Sequence, residues 1–501
     1  MTSGKVVAHG RRYSDIRTDY PGHMVLLDCA ARGEPYLLGT SRPDRADREV
    51  TIDAALIRFL LLGGDEHHPV HEKGIEVQGA WIAGKLDLDY VDVPRVLKLK
   101  DCTFAEEVVV RHAHLDSLVL SGSRLPTLLA DRIELDGTLF LRAGETQTPF
   151  VCDGTLRLVN AQIGGDLTLR GAEIGTPGKA APGHVLVADG MKVTGSLFLE
   201  GALVHGTIGL ASASVGELAD TRFAWPSGNE FDGFEYHKIN GPTDSKMRIA
   251  WLKTQSHIRT REEAARALRN GRKPDFYPQP WEQLVKTLRA TGHMTEAAEV
   301  AIAKQDMRRA ACSVGMREPQ AFPDHWAPAF RQTLDRGWNP LANLVARGWH
   351  YVYGKLSGYG HKPQRIVYLT LLLVAFSSLA YYEGRDHGLI GPTSPLVHMS
   401  GTTADCGAPG DPGARYHWTD SRCPVPPEYS TFQPFFFALD VTLPFVDLHQ
   451  EADWGPLVAN AAGETLWGGR ALRWLMWFNI MFGWIASLMF VAIVSRLVEK
   501  D

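Results

Sequence analysis

A pair of apolar residues separated by one residue recurs from Gly74 to Asp220, and this repeat restricts the fold more than any other feature of the chain. Alternation with a period of two predicts a strand with one buried face. A spacing of mostly ten or eleven residues predicts that the chain turns at the same place each time. A helix would need apolar positions three and four residues apart, which these segments lack. The pairs are Leu86/Leu88, Leu97/Leu99, Val108/Val110, Leu118/Leu120, Leu128/Ala130, Leu139/Leu141, Leu156/Leu158, Leu167/Leu169, Val185/Val187, Leu197/Leu199 and Ile208/Leu210.

These regular short strands predict a mainly β fold with a cytoplasmic β-solenoid at residues 74–220. Two repeat units make one coil of about 20 to 22 residues, and stacked coils bury an aliphatic column that no single coil buries alone. The end of a solenoid needs a cover, and the apolar helix predicted from Thr51, within residues 1–73, suits this role as a cap. Alternatively, this helix belongs to a separate small N-terminal domain.

Two long apolar runs predict transmembrane helices at residues 366–382 and 472–494. The alternative for both is a long buried helix of a globular domain. Basic residues flank the pair, whereas the loop at residues 383–471 has four Arg and no Lys against eleven Asp and Glu. Because basic flanks stay in the cytoplasm, we expect a multi-pass protein of the inner (plasma) membrane with the loop outside. Both termini, including the tail at residues 495–501, are then cytoplasmic, and the lipid bilayer is a partner.

The stretch between the repeat and the first span, residues 221–365, predicts a helical region. Within it, residues 243–365 carry 21 Lys and Arg against 11 Asp and Glu, which favours contact with an anionic leaflet; the alternative is a solvated linker. Nucleic acid is not expected as a partner, since the whole chain has a net charge of −5. Two of the helices should turn at Gly292 as a tetratricopeptide-like pair. The residues predicted to pack between them are Trp281, Leu284, Leu288, Ala298 and Ile302.

Cysteine usage follows the predicted topology. Two of the six cysteines, Cys406 and Cys423, lie in the outer loop and predict a disulfide, with two free thiols as the alternative. The other four lie on the reducing side. They are Cys29, Cys102, Cys152 and Cys312.

The segment at residues 431–450 lies between the spans and is rich in aromatic residues. Its first part predicts a short helix that stops before Pro444. One interpretation is a re-entrant pore helix of an oligomeric channel, with Asp440 and Asp447 lining a cation path. The other is an amphipathic interfacial helix, with aromatic residues such as Phe435 at headgroup depth.

Other motifs assign no catalytic, metal-binding or cofactor-binding residue. The chain contains no Gly-x-Gly-x-x-Gly, no Cys-x-x-Cys and no phosphate-binding loop. The segment DEHHPVH, from Asp65 to His71, has several metal-binding side chains, but Pro69 favours a loop over a helix that would aim them together. The GYG triplet at residues 358–360 precedes the first span, where it predicts a turn and no ion filter.

Several motifs together resemble a family of bacterial membrane proteins that are often labelled membrane-associated oxidoreductases. They are GIEVQGAWIAGKLDL from Gly74, GFEYHKI from Gly233, YPQPWEQLVKTLRATGHMTEAAEVAIAKQ from Tyr277, GYGHKP from Gly358 and ALDVTLPFVDL from Ala438. The resemblance extends from about Ala54 to the C-terminus. It implies a solenoid akin to pentapeptide-repeat folds, two C-terminal spans and a redox activity, with no cofactor residue identified.

Three functions from different classes fit this layout. The first is a membrane-anchored scaffold or sensor whose solenoid binds a protein partner. The second is a subunit of an oligomeric ion pore, which requires a homo-oligomer because two spans cannot enclose a channel. The third is the oxidoreductase that the family label implies.

The predicted topology has a direct test in intact cells. After reduction, a membrane-impermeant thiol reagent should label Cys406 and Cys423, because the outer loop carries them, and should spare Cys312. Mass spectrometry of the labelled peptides reads out each site. Labelling of Cys312 would show that the chain has the opposite orientation in the membrane.

Overall fold

The computed structural model describes residues 13, 16, 20–178, 183–255, 276–310, 328–394, 397, 425, 428–459 and 464–498. The chain forms two compact units, Met1–Asn343 and Leu344–Asp501. Parallel strands dominate the first unit and helices form the second. By residue count 36% of the chain is helical and 24% is in strands, so the expected mainly β character belongs only to the first unit.

Three parallel sheets build the strand region of the first unit, at residues 36–239, and the chain visits them in rotation. The first sheet contains β1 (Tyr36–Leu37), β5 (Ile75–Gln78), β8 (Asp92–Lys100), β11 (His114–Val119), β14 (Glu134–Leu135), β15 (Leu139–Phe140), β18 (Gln162–Ile163), β19 (Leu167–Thr168), β22 (Lys192–Phe198), β25 (Ser214–Ala219) and β26 (Glu235–Ile239). The second contains β2 (Thr51–Asp53), β6 (Trp81–Ala83), β9 (Thr103–Phe104), β12 (Arg124–Leu125), β16 (Val151–Cys152), β20 (Glu173–Ile174) and β23 (Leu203–Val204). The third contains β7 (Leu86–Asp87), β10 (Val108–Val109), β13 (Leu128–Leu129), β17 (Leu156–Arg157), β21 (His184–Val187) and β24 (Thr207–Gly209).

The register of these sheets stacks apolar residues directly on one another. In the first sheet Leu97 pairs with Leu118, which pairs with Leu139. The column is buried along its whole length. Full burial of each leucine contributes about 1.5–3 kcal/mol, so the column is a main source of stability. Its members are Ile75, Leu97, Leu118, Leu139, Leu167, Leu197, Leu218 and Ile239.

One predicted pair is out of register by one residue. In β21, which belongs to the third sheet, the residues that point into the core are Leu186 and Ala188, because Leu156 pairs with Leu186 and Arg157 with Val187. Val187 is only half-buried. The run from Val185 to Ala188 is apolar throughout, so alternation alone could not choose between the two registers.

The parallel pairing continues on both sides of residues 74–220. Strands β1 and β2 pair with β5 and β6, and β26 pairs with β25. Two helices, α1 (Gly22–Arg32) and α2 (Ala54–Leu61), accompany the first strands. The Asp53 carboxylate caps α2 by accepting from the Ala55 amide at 2.9 Å, and α2 packs on β5, β7 and β8.

At the other end of the strand region, side chains of a helix cover the last strand. The elements here are η1 (Arg222–Ala224), α3 (Ser245–Leu252), α4 (Gln279–Ala290) and α5 (Met294–Ala310). The Gln283 amide and the Thr287 hydroxyl, one turn apart on α4, donate to the carbonyl oxygen of Tyr236 in β26 at 2.6 and 3.1 Å. A carbonyl oxygen that another strand would otherwise pair is thereby satisfied.

A buried ion pair holds α3 against the end of the strand region. Asp220 and Arg248 form two bonds of 2.8 Å, with both side chains fully buried. The Trp225 indole donates to the same carboxylate at 2.6 Å. With several donors the buried charge is satisfied, which such a pair requires.

Helices α4 and α5 turn at Gly292 as expected, and Trp281, Leu284 and Leu288 are fully buried between them. The facing side of α5 differs from the expectation. Ala298 and Ile302 are only half-buried, and the apolar contacts come from the neighbouring positions. The buried apolar residues of α5 are Ala297, Val300 and Ala301.

The second unit is built on two long apolar helices. Its elements are α6 (Pro328–Ser357, from residue 344 on), α7 (Gln364–Asp386), β27 (Ile390–Pro392), α8 (Pro434–Thr442), α9 (Gln450–Asp453), β28 (Trp454–Pro456) and α10 (Trp467–Val498). Residues Gln364–Asp386 and Trp467–Ser495 are long and apolar enough to cross a membrane, and only 22% of each apolar window is buried. A core helix of a soluble protein would be mostly buried.

The GYG triplet forms the expected turn between α6 and α7. Tyr359 has φ of +56° between two glycines that also have positive φ. The Lys362 amide donates to the carbonyl oxygen of Ser357 at 2.9 Å and closes the turn.

Replacing Leu197 with Asp should unfold the strand region, because a carboxylate in the buried column has no partner and costs several kcal/mol. Circular dichroism and the thermal midpoint of the purified full chain measure the loss. The matched control is Thr194→Asp in the same strand, since Thr194 is exposed. Equal melting of both variants would contradict a continuous buried column.

Candidate functional site

Residues 431–450 form a hairpin between α7 and α10, which we call the 431–450 hairpin. Helix α8 is its first limb and ends before Pro444, as predicted. The two limbs meet at their base through Gln450, whose side chain accepts from the Gln433 amide at 3.0 Å and donates to the Thr431 carbonyl at 3.2 Å. Close to this base, β27 and β28 pair antiparallel.

The tip of the hairpin lies halfway along both long helices. Thr442, the last residue of α8, contacts Gly483 near the middle of α10, where a Cβ would overlap the Thr442 carbonyl oxygen. Leu443 shares an apolar groove with Gly483 and with Val374, which lies near the middle of α7. A glycine at this point therefore allows α8 and α10 to approach backbone to backbone.

Asp440 joins the two limbs of the hairpin. Its side chain is buried and accepts from the amides of Leu448 at 2.7 Å and Glu451 at 2.9 Å. Both carboxylate oxygens are therefore engaged by the return limb, and the geometry gives Asp440 a positioning role within the hairpin.

The other residues singled out in this segment are more exposed than Asp440. Asp447 is exposed and accepts from the His449 amide at 3.0 Å. Phe435 is also exposed and packs edge-on against Phe436. Pro444 is half-buried at the turn. The two carboxylates therefore differ in environment, because Asp440 is buried and engaged by backbone amides and Asp447 is exposed.

A buried polar cluster connects α7 and α10 beside the hairpin. The Asn479 amide donates to the Ser377 hydroxyl at 2.9 Å and to the Tyr381 hydroxyl at 3.3 Å, and all three side chains are fully buried. Phe437 of the hairpin packs edge-on against the Tyr381 ring at 4.7 Å. We did not identify this cluster from the sequence, although Asn479 is the single amide residue in an apolar run.

The strand region of the first unit carries its own candidate surface, which we call the corner ladder. Register places Asp92, His114, Glu134, Gln162 and Lys192 one above another at the starts of their strands. The first four border an open depression of about 480 Å³.

His114 is the titrating member of the corner ladder. Its Nδ1 lies 2.9 Å from Asp92 and its Nε2 3.3 Å from Asp136. The hydrogen bond to Asp92, with the second carboxylate, raises the pKa of His114 above its ordinary value. A positive charge between two carboxylates is thereby favoured at this exposed position.

Burial raises the pKa of all three described cysteines, including that of the half-buried Cys29. Burial raises the pKa of Cys102 and of Cys152 to about 12, so both thiols stay protonated near neutral pH. The predicted disulfide between Cys406 and Cys423 lies outside the described residues, as does Cys312.

The segment from Asp65 to His71 forms a tight antiparallel hairpin of β3 (Gly64–Asp65) and β4 (His68–Pro69). Here Asp65 accepts from the His68 ring at 2.9 Å. Among the residues that the structure describes, no three His, Cys, Asp or Glu side chains are grouped to hold a metal ion.

Comparison with protein families, with curated proteins and with solved structures finds no match. The resemblance to membrane proteins labelled oxidoreductases therefore rests on the sequence motifs alone.

Replacing Gly483 with Ala should displace the tip of the hairpin, because the new Cβ would overlap the carbonyl oxygen of Thr442. A backbone atom cannot move aside by a side-chain rotation, so the hairpin itself must shift. We expect destabilisation by about 1–3 kcal/mol, typical of overpacking. Thermal unfolding in detergent measures it. The control is Ser487→Ala, one turn further along α10, which only removes atoms; equal midpoints for both variants would rule out the close approach.

Proposed function

We propose that this protein is a membrane-anchored scaffold, in which a cytoplasmic β-solenoid at residues 36–239 presents a rigid surface to a protein partner. The observation that carries the proposal is the regular parallel register at the strand starts from Asp92 to Lys192. Every coil fixes the position of its neighbours, so exposed side chains are held at constant spacing along the stack.

The corner ladder is the recognition surface in this proposal. It alternates acidic, basic and amide side chains within a shallow depression, a composition that suits a polar protein surface of mixed charge. His114 makes partner binding pH-dependent in this proposal. Its positive charge is present below its raised pKa and is lost as the pH rises above that pKa.

Anchoring in the membrane is supported by the outward faces of α7 and α10. Large apolar side chains point away from the second unit on both helices, among them Leu372, Leu379, Trp474 and Leu488, each more than 60% exposed. In water such a surface would be unstable, whereas lipid solvates it. In this proposal both termini are cytoplasmic and the loop 383–471 lies outside, as the flanking charges indicate.

A subunit of an oligomeric pore is the second candidate, and the 431–450 hairpin favours it. The tip of the hairpin lies halfway along the two predicted spans. A pore helix occupies the same place in two-span channels. Asp440 is engaged by backbone amides, so this candidate assigns the cation path to Asp447 alone. Ion flux through liposomes that contain the purified chain, compared with its Asp447→Asn variant, distinguishes a pore from a scaffold.

Thiol-based redox chemistry has little support at the described cysteines, because a nucleophilic thiol needs a lowered pKa and Cys102 and Cys152 have raised ones. The remaining form of the oxidoreductase hypothesis is an activity that depends on an associated subunit or a bound chromophore. A visible absorption spectrum of the purified protein tests it directly.

A photocrosslinking residue at Gln162 in the full-length chain should form an adduct of one defined mass in intact cells, because the partner covers the corner ladder. Combining it with Glu134→Lys should abolish the adduct, since Glu134 is the register neighbour of Gln162. Immunoblotting and mass spectrometry of the crosslinked band provide the readout.

The matched control places the same crosslinker at Glu106, an exposed residue after β9 and outside the corner ladder. Absence of an adduct at Gln162, or equal adducts at both positions, would reject the corner ladder as the binding surface.

A further inference from the structure

An apolar groove of about 340 Å³ runs between α7 and α10 on the side of the hairpin tip that faces the GYG turn. Ile366 and Val367 of α7 lie at one end, and Leu439, Leu443 and Phe445 of the hairpin close the other end. The only hydroxyl side chains that line the groove are Thr370 and Ser487, and Thr370 donates to the Ile366 carbonyl oxygen within its own helix at 2.9 Å. The lining of the groove therefore offers few hydrogen-bond partners to a water molecule.

The length of the groove matches one half of a bilayer. Along α7 it extends from Ile366 to Val374, and along α10 from Gly483 to Val491. Eight residues of helix rise about 12 Å. The hydrocarbon core of a bilayer is about 30 Å thick, so one leaflet contributes roughly 15 Å of acyl chain. The hairpin tip thus closes the groove at the depth where the acyl chains of one leaflet end.

Positive charge lies at the open end of the groove. Arg365 directly precedes Ile366, and Lys362 lies three residues earlier, in the turn that begins α7. Basic side chains at the membrane surface attract anionic headgroups.

We propose that this groove binds one acyl chain of an anionic phospholipid, from the leaflet on the side of the GYG turn, with the phosphate near Lys362 and Arg365. The inference rests on the membrane anchoring proposed above. The bound chain fills the gap between α7 and α10 beneath the hairpin, so that the lipid supports the position of Leu443 and Phe445.

Native mass spectrometry of the full-length protein tests this site, after purification from vesicles of equal phosphatidylglycerol and phosphatidylcholine. The unmodified protein should retain one phosphatidylglycerol. Ser487→Trp fills the groove and should weaken retention at least about tenfold. Replacing Lys362 and Arg365 together with Gln should remove the preference for phosphatidylglycerol while leaving tail binding in place.

The matched control is Leu488→Trp, because Leu488 neighbours Ser487 in sequence but points outward, with 63% of its surface exposed. Equal lipid retention by both tryptophan variants would overturn the proposal. The proposal would also be wrong if the unmodified protein had the mass of a dimer and only Ser487→Trp abolished that dimer. The groove would then hold a second copy of the chain instead of a lipid. Loss of the protein from membranes washed with carbonate would refute the proposed membrane anchoring. Retention in washed membranes without a bound lipid would refute only the lipid site.

Discussion

In-register parallel stacking is the constraint on which the first unit depends. Once Leu115 pairs with Leu135 in the core, the same ladder aligns the adjacent polar pair His114 and Glu134. Core and surface are therefore one register, and a slip of one residue would move apolar side chains outward and polar side chains inward together. The surface spacing that we assign to partner binding is a direct consequence of how the core packs.

Stacking also creates the problem of the ends, which the chain solves with side chains. The Tyr236 carbonyl oxygen of β26, which another coil would pair, accepts hydrogen bonds instead from Gln283 and Thr287 of α4. The buried pair of Asp220 and Arg248 then fixes α3 at the same end. Directed polar groups stop the growth of the ladder, whereas apolar cover alone would leave unsatisfied carbonyl groups.

In the membrane that we propose for it, the second unit meets the same demand in a different solvent. Non-helical backbone at membrane depth is tolerated only where protein satisfies its hydrogen bonds. The return limb of the hairpin meets this condition through Asp440, which accepts from two amides, while Gly483 allows the backbone of the tip to approach α10 closely. The carboxylate of Asp440, which the sequence suggested for ion conduction, thus stabilises the turn of the hairpin through hydrogen bonds to backbone amides.

These cases show which properties a sequence pattern determines. Periodicity predicted the strands, because burial of one face repeats at fixed intervals. The length of two apolar runs predicted both long helices, and a glycine between two helical patterns predicted the turn at Gly292. Periodicity could not choose between Val187 and Leu186, since an apolar run satisfies either register. It was equally silent on Asn479 and Asp440, whose partners are distant in sequence or belong to the backbone. Directional bonds of this kind depend on which elements meet in space, and a periodic pattern carries no information about that until the fold is known.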